Sequence, residues 1–153
     1  MRLIRTEDGS HCAPMPLVLV PIPRDHLAVT ASVWLPLVGR IAKRSRNRLA
    51  ELVHQIASGE VMIHLAWDDG AREARALAGT RLFLRGGRPV AELVWCTGGG
   101  RKDWLPLLVD LENYHREAFG CTAMNAVARF GWMKELKARG YRPTHVILEK
   151  EFA

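Results

Sequence analysis

Residues 96–103 read Cys96-Thr97-Gly98-Gly99-Gly100-Arg101-Lys102-Asp103, three glycines followed by two cations and an acid. Glycine lets the backbone approach a ligand closely, successive N–H groups in such a turn converge on an anion, and a helix starting behind the turn adds its positive end. Arg101 and Lys102 supply full charges suited to phosphate. Phosphate is the expected guest; a flexible connector is the simpler competing reading. Cys96, beside the cations, could be a nucleophile with a lowered pKa, or a buried structural thiol. His64 and His115 could relay protons or be ordinary packed histidines. No serine lies in Gly-x-Ser-x-Gly and no Gly-Lys-Ser/Thr phosphate loop is present. The histidines show neither His-Glu-x-x-His nor His/Cys ligand spacing, so no metal site is expected.

The turn is positioned by an alternation of strands and helices. Residues 1–16 mix Gly, Ser, Pro and charges without periodicity and read as an irregular lead-in, leaving residues 17–153 as one domain. Residues 17–22 are a short apolar strand between Pro16 and Pro23. Apolar residues then recur at three- and four-residue spacing from Leu27 to Ile56, which predicts helices over 25–58, divided at Pro36 and Gly39. Strands are predicted at 61–67, 75–84 and 89–96, the last two joined by Gly86-Gly87, a pair suited to a tight two-residue hairpin. Asp68 and Asp69 read as turn formers. A helix capped by Asp103 and stopped at Gly120 follows. A weak strand at 121–127, a helix over 130–139 closed by Gly140-Tyr141, and a final strand at 144–148 complete the order. The fold class is α/β (α+β), with a mixed, mostly antiparallel sheet.

At 153 residues such a domain removes roughly 70% of its extended-chain surface from water, enough for a core without staples. Cys12, Cys96 and Cys121 are odd in number and widely separated, which suits a reducing cytoplasm better than a disulfide framework. No segment reads as a signal peptide or membrane span. The 22 Lys and Arg against 16 Asp and Glu leave a formal charge of +6 and favour anionic partners. Arg40, Lys43, Arg44, Arg46 and Arg48 cluster within one segment. Nucleic-acid binding there would show steep salt dependence, but no aromatic residues interleave for base stacking, and a solvated helix face is the simpler reading. The five tryptophans are read as core or interface anchors.

The element order, the glycine turn leaving the fourth strand, and the segment Trp132-Met133-Lys134-Glu135-Leu136-Lys137-Ala138-Arg139-Gly140-Tyr141 together resemble the GNAT superfamily of acetyl-CoA-dependent acyltransferases. The resemblance covers about residues 17–152. It implies acetyl-CoA as co-substrate in a gap between parting fourth and fifth strands. Val94, Trp95 and Cys96 would face the pantetheine arm, and Gly98, Gly99, Gly100, Arg101 and Lys102 would hold the phosphates. The chain departs from the family in three places. The pyrophosphate signature is incomplete, with Thr97 where Gln or Arg belongs and Lys102 where a small residue belongs. Leu136 stands where many members carry the tyrosine that protonates the departing thiolate. Arg129 replaces a common asparagine, for which Asn125 could serve if the register slips.

Acyl transfer to an amine needs that amine deprotonated, and Glu92 on the fourth strand is the expected catalytic base, on one face with Val90 and Val94. An outward-facing strand glutamate is the competing reading. Two functions follow from the resemblance. One is an N-acyltransferase acting on an amine that the sequence does not identify. The other is a non-catalytic member of the same fold with a structural or interaction role, similar to compact bacteriophage-encoded members, placed in the host cytoplasm or the virion.

Overall fold

The computed structural model describes residues 16–153, so residues 1–15 of the predicted lead-in lie outside the described residues. Strand β1 (Val18–Pro21) is followed by helices α1 (Ala31–Arg44) and α2 (Leu49–Ala57). The predicted division at Pro36 and Gly39 does not occur, and α1 runs through both. Proline removes the N–H that would bond the carbonyl of Ser32, but Ser32 and Pro36 are both exposed, so water can take that carbonyl. Opposite them Trp34, Leu37, Val38 and Ile41 are buried, and this stripe holds the helix on the sheet. The break falls at Ser45, whose extended backbone leaves the helix while its N–H and hydroxyl both donate to the Ile41 carbonyl.

Strands β2 (Met62–Asp68), β3 (Glu73–Arg85) and β4 (Arg88–Gly98) form an antiparallel meander with β1, and with β5 (Met124–Ala126) the sheet order is β1-β2-β3-β4-β5. Gly86 and Gly87 turn the β3–β4 hairpin with φ of 59° and 76°, the mirror-image geometry that matches strand twist. Asp68 organises the preceding turn, accepting from the Ala71 N–H at 2.9 Å and from Arg75; these contacts hold its carboxyl below the usual range. One core lies between the sheet and α1/α2, where Trp34, Val38, Leu52 and Ile56 meet Ile63, Leu65 and Leu77.

The opposite face is covered by α3 (Arg101–Trp104), α4 (Leu108–Phe119) and α5 (Met133–Ala138), with a 3-10 turn at Leu105–Leu107 between the first two. Gly100, not Asp103, takes the cap position of α3: with φ of 65° it turns the chain, and its carbonyl accepts the Asp103 N–H at 2.8 Å. Between α4 and α5, β5 (Met124–Ala126) pairs parallel to β4. Helix α5 ends as predicted, with Gly140 at φ 91° and the Tyr141 N–H returning to the Leu136 carbonyl.

The final strand predicted at 144–148 is not formed. That segment joins no ladder, and Val146, Ile147 and Leu148 are 71%, 81% and 90% exposed. β5 presents only three residues of edge before the chain turns into the 3-10 segment Phe130–Trp132, too little to seat a five-residue strand. Leu77→Ala, in the centre of the sheet and 0% exposed, is expected to cost about 2–5 kcal/mol in urea unfolding. Deleting residues 144–153 is expected to cost under about 1 kcal/mol. A deletion as costly as Leu77→Ala would show that the segment is an integral strand.

Candidate functional site

The site is made by the way β4 and β5 part. They pair at Ala91–Met124, Glu92–Asn125 and Leu93–Ala126, and the last rung is the Val127 N–H on the Leu93 carbonyl at 3.0 Å. β4 continues to Gly98 against β3 alone, with Val94 as an extra, bulged residue between Leu93 and Trp95. A bulge bends its strand and raises its twist. Chain 127–129 swings the other way, where the Arg129 guanidinium donates to the Arg44 carbonyl at 3.2 Å. The resulting cleft of about 680 Å³ has Val94, Trp95, Cys96, Thr97 and Gly98 on one wall and residues 126–129 on the other.

The glycine turn stands at the end of the first wall. Gly98, at φ 150°, packs so tightly against β3 that a Cβ there would lie 2.5 Å from the Ala76 Cβ and 2.6 Å from the Arg75 carbonyl oxygen. Only glycine allows β4 to stay in register to its end at that point. Gly98, Gly100 and Arg101 line the cleft, while Gly99 and Lys102 are exposed outside its lining. Arg44 also lines it. Arg44, Arg101 and Arg129 therefore give the cleft a cationic border in a low-dielectric wall, a setting that attracts anions.

Glu92 is placed apart from these residues. The bulge breaks the alternation expected between Glu92 and Val94. Glu92 borders a second, broader cavity of about 940 Å³ with Asn125, and the two cavities share residues 126–129 and Leu136. It sits one residue before the last rung, held by Arg81 with Nε–Oε1 at 2.8 Å and Nη2–Oε1 at 2.6 Å. Leu136 lines the cleft and is buried, with no proton to give. For Cys96 the expected acidification is reversed: burial pushes its thiol up to about 12, so it is no thiolate nucleophile at neutral pH.

Two further cleft residues bring polar groups that no sequence motif marks. Thr97 Oγ1 and Trp104 Nε1 are buried without a hydrogen-bond partner among the described residues, although both residues line the cleft. Buried polar groups are nearly always satisfied, and both of these belong to the cleft wall, within reach of whatever fills it. Threonine and tryptophan at these spacings carry no motif, so only their packing reveals them.

His115, on the buried side of α4, and His64, on β2, lie outside the cleft lining and are joined through Thr80. The Leu111 carbonyl can only accept, so His115 carries its proton on Nδ1, at 2.9 Å, and its Nε2 accepts from the Thr80 hydroxyl, at 2.9 Å. Thr80 then accepts from His64 Nε2–H at 3.0 Å. This chain of donors runs with both rings neutral and ties helix to sheet, while His64 Nδ1 is buried with no hydrogen-bond partner among the described residues. Burial, with the neighbouring His115 adding to it, lowers His64 to about 3; burial likewise lowers His115.

No family model matches the sequence, and no curated protein matches it. Solved structures do. An acetyltransferase from Trypanosoma brucei aligns with TM-score 0.62 at 16% identity, covering 89% of this chain and 99% of that chain. A ribosomal-protein-alanine N-acetyltransferase from Brucella melitensis biovar Abortus 2308 aligns at 0.64 and 11%, covering 90% and 100%. An aminoglycoside N-acetyltransferase in complex with CoA aligns at 0.58 and 17%, covering 89% and 100%. This likeness establishes the GNAT-like fold.

The histidine pair makes stability depend on pH. His64 has a lower pKa folded than unfolded, so the unfolded chain binds more protons below pH 6.5. The His64 contribution to stability is present above that value and is lost as pH drops toward about 3. Between pH 7 and 5 the expected loss from His64 is about 2 kcal/mol, read as a falling urea midpoint. His64→Gln is expected to flatten that slope; an unchanged slope would contradict the assignment.

Proposed function

We propose that this protein is an N-acyltransferase that uses acetyl-CoA, or a related acyl-CoA thioester, to acylate an amine. The observation that carries the reading is the cleft itself: β4 and β5 part at Leu93, and a glycine turn with a cationic border stands at its end. The pantetheine arm would lie along the unpaired edge of β4 at Val94, Trp95 and Cys96, where backbone groups facing the gap can pair with its amides. Gly98, Gly99, Gly100, Arg101 and Lys102 would surround the diphosphate, the glycines through their N–H groups and the cations by charge.

The acceptor amine would approach from the second cavity and meet the thioester near the last β4–β5 rung. Glu92, beside that rung, would take the ammonium proton, directly or through water. Both Arg81 contacts fall on Oε1, and Oε2 is the oxygen assigned to that proton. The amine then attacks the thioester carbonyl and the C–S bond breaks. With leucine at 136, the thiolate would draw its proton from solvent. Holding amine and thioester together supplies much of the rate in such a reaction even without a strong acid.

A second reading, a non-catalytic member of the same fold with an interaction role, is favoured by one observation, the buried Leu136 in place of a proton donor. The bacteriophage and virion setting belongs to this alternative. Among the described residues no helix is long and apolar enough to cross a membrane, so neither reading places a membrane-spanning helix there.

The readings separate by titration with CoA followed by tryptophan fluorescence, since Trp95 and Trp104 line the cleft. Saturable quenching is expected; a flat response to millimolar ligand would defeat the acyltransferase reading. In an acyl-CoA-dependent thiol-release assay with a panel of amines, Glu92→Gln is expected to lower kcat about 10²–10⁴-fold while leaving CoA affinity within about twofold. Full activity in that variant would remove Glu92 from the mechanism.

A further inference from the structure

The two walls of the cleft are joined across its mouth. Arg101, which follows β4, pairs with Glu135 on α5, which follows β5, at Nη2–Oε1 3.0 Å. The same guanidinium lies over the Trp132 ring at 4.9 Å from its centroid. Trp132 in turn meets Trp104 of the β4 wall, with ring centroids 5.5 Å apart. Trp104, Trp132 and Arg101 line the cleft. The seam therefore alternates between walls, Trp104 against Trp132 and Arg101 against Trp132 and Glu135.

The closure is imperfect at both ends. Glu135 Oε2 is buried with no hydrogen-bond partner among the described residues, and so is the indole N–H of Trp104. A buried carboxylate oxygen without a donor is costly, as is a buried N–H without an acceptor. Arg101 satisfies only one Glu135 oxygen where a fully formed arginine–carboxylate fork would satisfy two. With side chains 42% and 30% exposed, the pair is open to competition by an anion with more oxygens and more charge. A diphosphate entering beside Gly98 and Gly100 is such an anion.

We propose that Glu135 is a positioning residue that holds Arg101 as a strap over the cleft mouth, and that the cofactor opens the site by taking this guanidinium onto its own phosphate. The inference rests on the acyl-CoA reading of the cleft. Glu135 and phosphate compete for one cation, so a ligand that lacks phosphate cannot exchange partners with the strap and must open it unaided. Thiol ligands with and without the diphosphate are thereby distinguished at the mouth, before any chemistry.

The test is calorimetric titration of the wild-type chain, Glu135→Gln, Arg101→Ala and the double variant with two probes, CoA and pantetheine. Glu135→Gln is expected to bind CoA about three- to tenfold more tightly, and that gain is expected to vanish when Arg101 is already alanine. Arg101→Ala is expected to weaken CoA while leaving pantetheine unchanged or tighter, a split that general loss of structure does not produce. If CoA binds the wild type but Glu135→Gln gives no gain, or the gain persists without Arg101, the strap is overturned and the acyl-CoA reading stands. If no variant binds CoA, both fall. Binding of CoA by Glu135→Gln alone would show the strap at full strength.

Discussion

The cleft between β4 and β5 depends on three rungs of parallel pairing. β4 and β5 share Ala91–Met124, Glu92–Asn125 and Leu93–Ala126, and then separate. Parallel pairs are slightly weaker per residue than antiparallel ones, and a ladder this short persists because packing holds its flanks. Leu108, Leu111 and Leu136 lie beneath it, with Leu93, Met124 and Ala126 packed against them. The bulge at Val94 turns β4 at the point where the partner strand leaves. A gap in a sheet exposes a strand edge, normally a liability for aggregation. In this chain the gap is flanked by helices on both faces, which makes it a cleft instead of an open edge.

Charge and polarity are arranged around that gap in two different ways. Cations gather at the cleft border, where Arg44, Arg101 and Arg129 come from three separate segments. The deeper polar groups between α4 and the sheet are neutral and bonded to one another, His64 through Thr80 to His115 and on to the Leu111 carbonyl. The first arrangement is available to a guest; the second fixes α4 on the sheet, and α4 in turn supports the floor of the cleft through Leu108 and Leu111. Acidification would therefore act on the cleft indirectly, by loosening the helix beneath it.

Much of this was legible in the residues. The Gly86-Gly87 hairpin, the Gly140-Tyr141 helix end and the glycine turn after β4 each require backbone conformations that few residues adopt, so the letters carry the geometry. The GNAT-like fold followed from their order. The misjudged elements are those decided by tertiary context. Pro36 breaks an isolated helix, yet the buried stripe Trp34, Leu37, Val38 and Ile41 keeps α1 whole. Residues 144–148 have strand-forming side chains but no edge to pair with. Alternation placed Glu92 with Val94 until one bulged residue changed the register, and the unpartnered Thr97 and Trp104 carry no sequence motif. Arg101 was legible as a phosphate cation. Its engagement with Glu135, 34 positions later in the numbering, was not.

The parted strands and the glycine turn are proposed to form one cofactor site. Backbone amide chemical shifts followed by NMR during titration with CoA address it residue by residue. Saturable shifts are expected at Gly98, Gly99, Gly100 and Arg101, together with Val94 and Cys96 along the unpaired edge of β4. Shifts confined to the basic segment from Arg40 to Arg48, or to the second cavity, would contradict this proposal and leave the cleft as a gap without a guest.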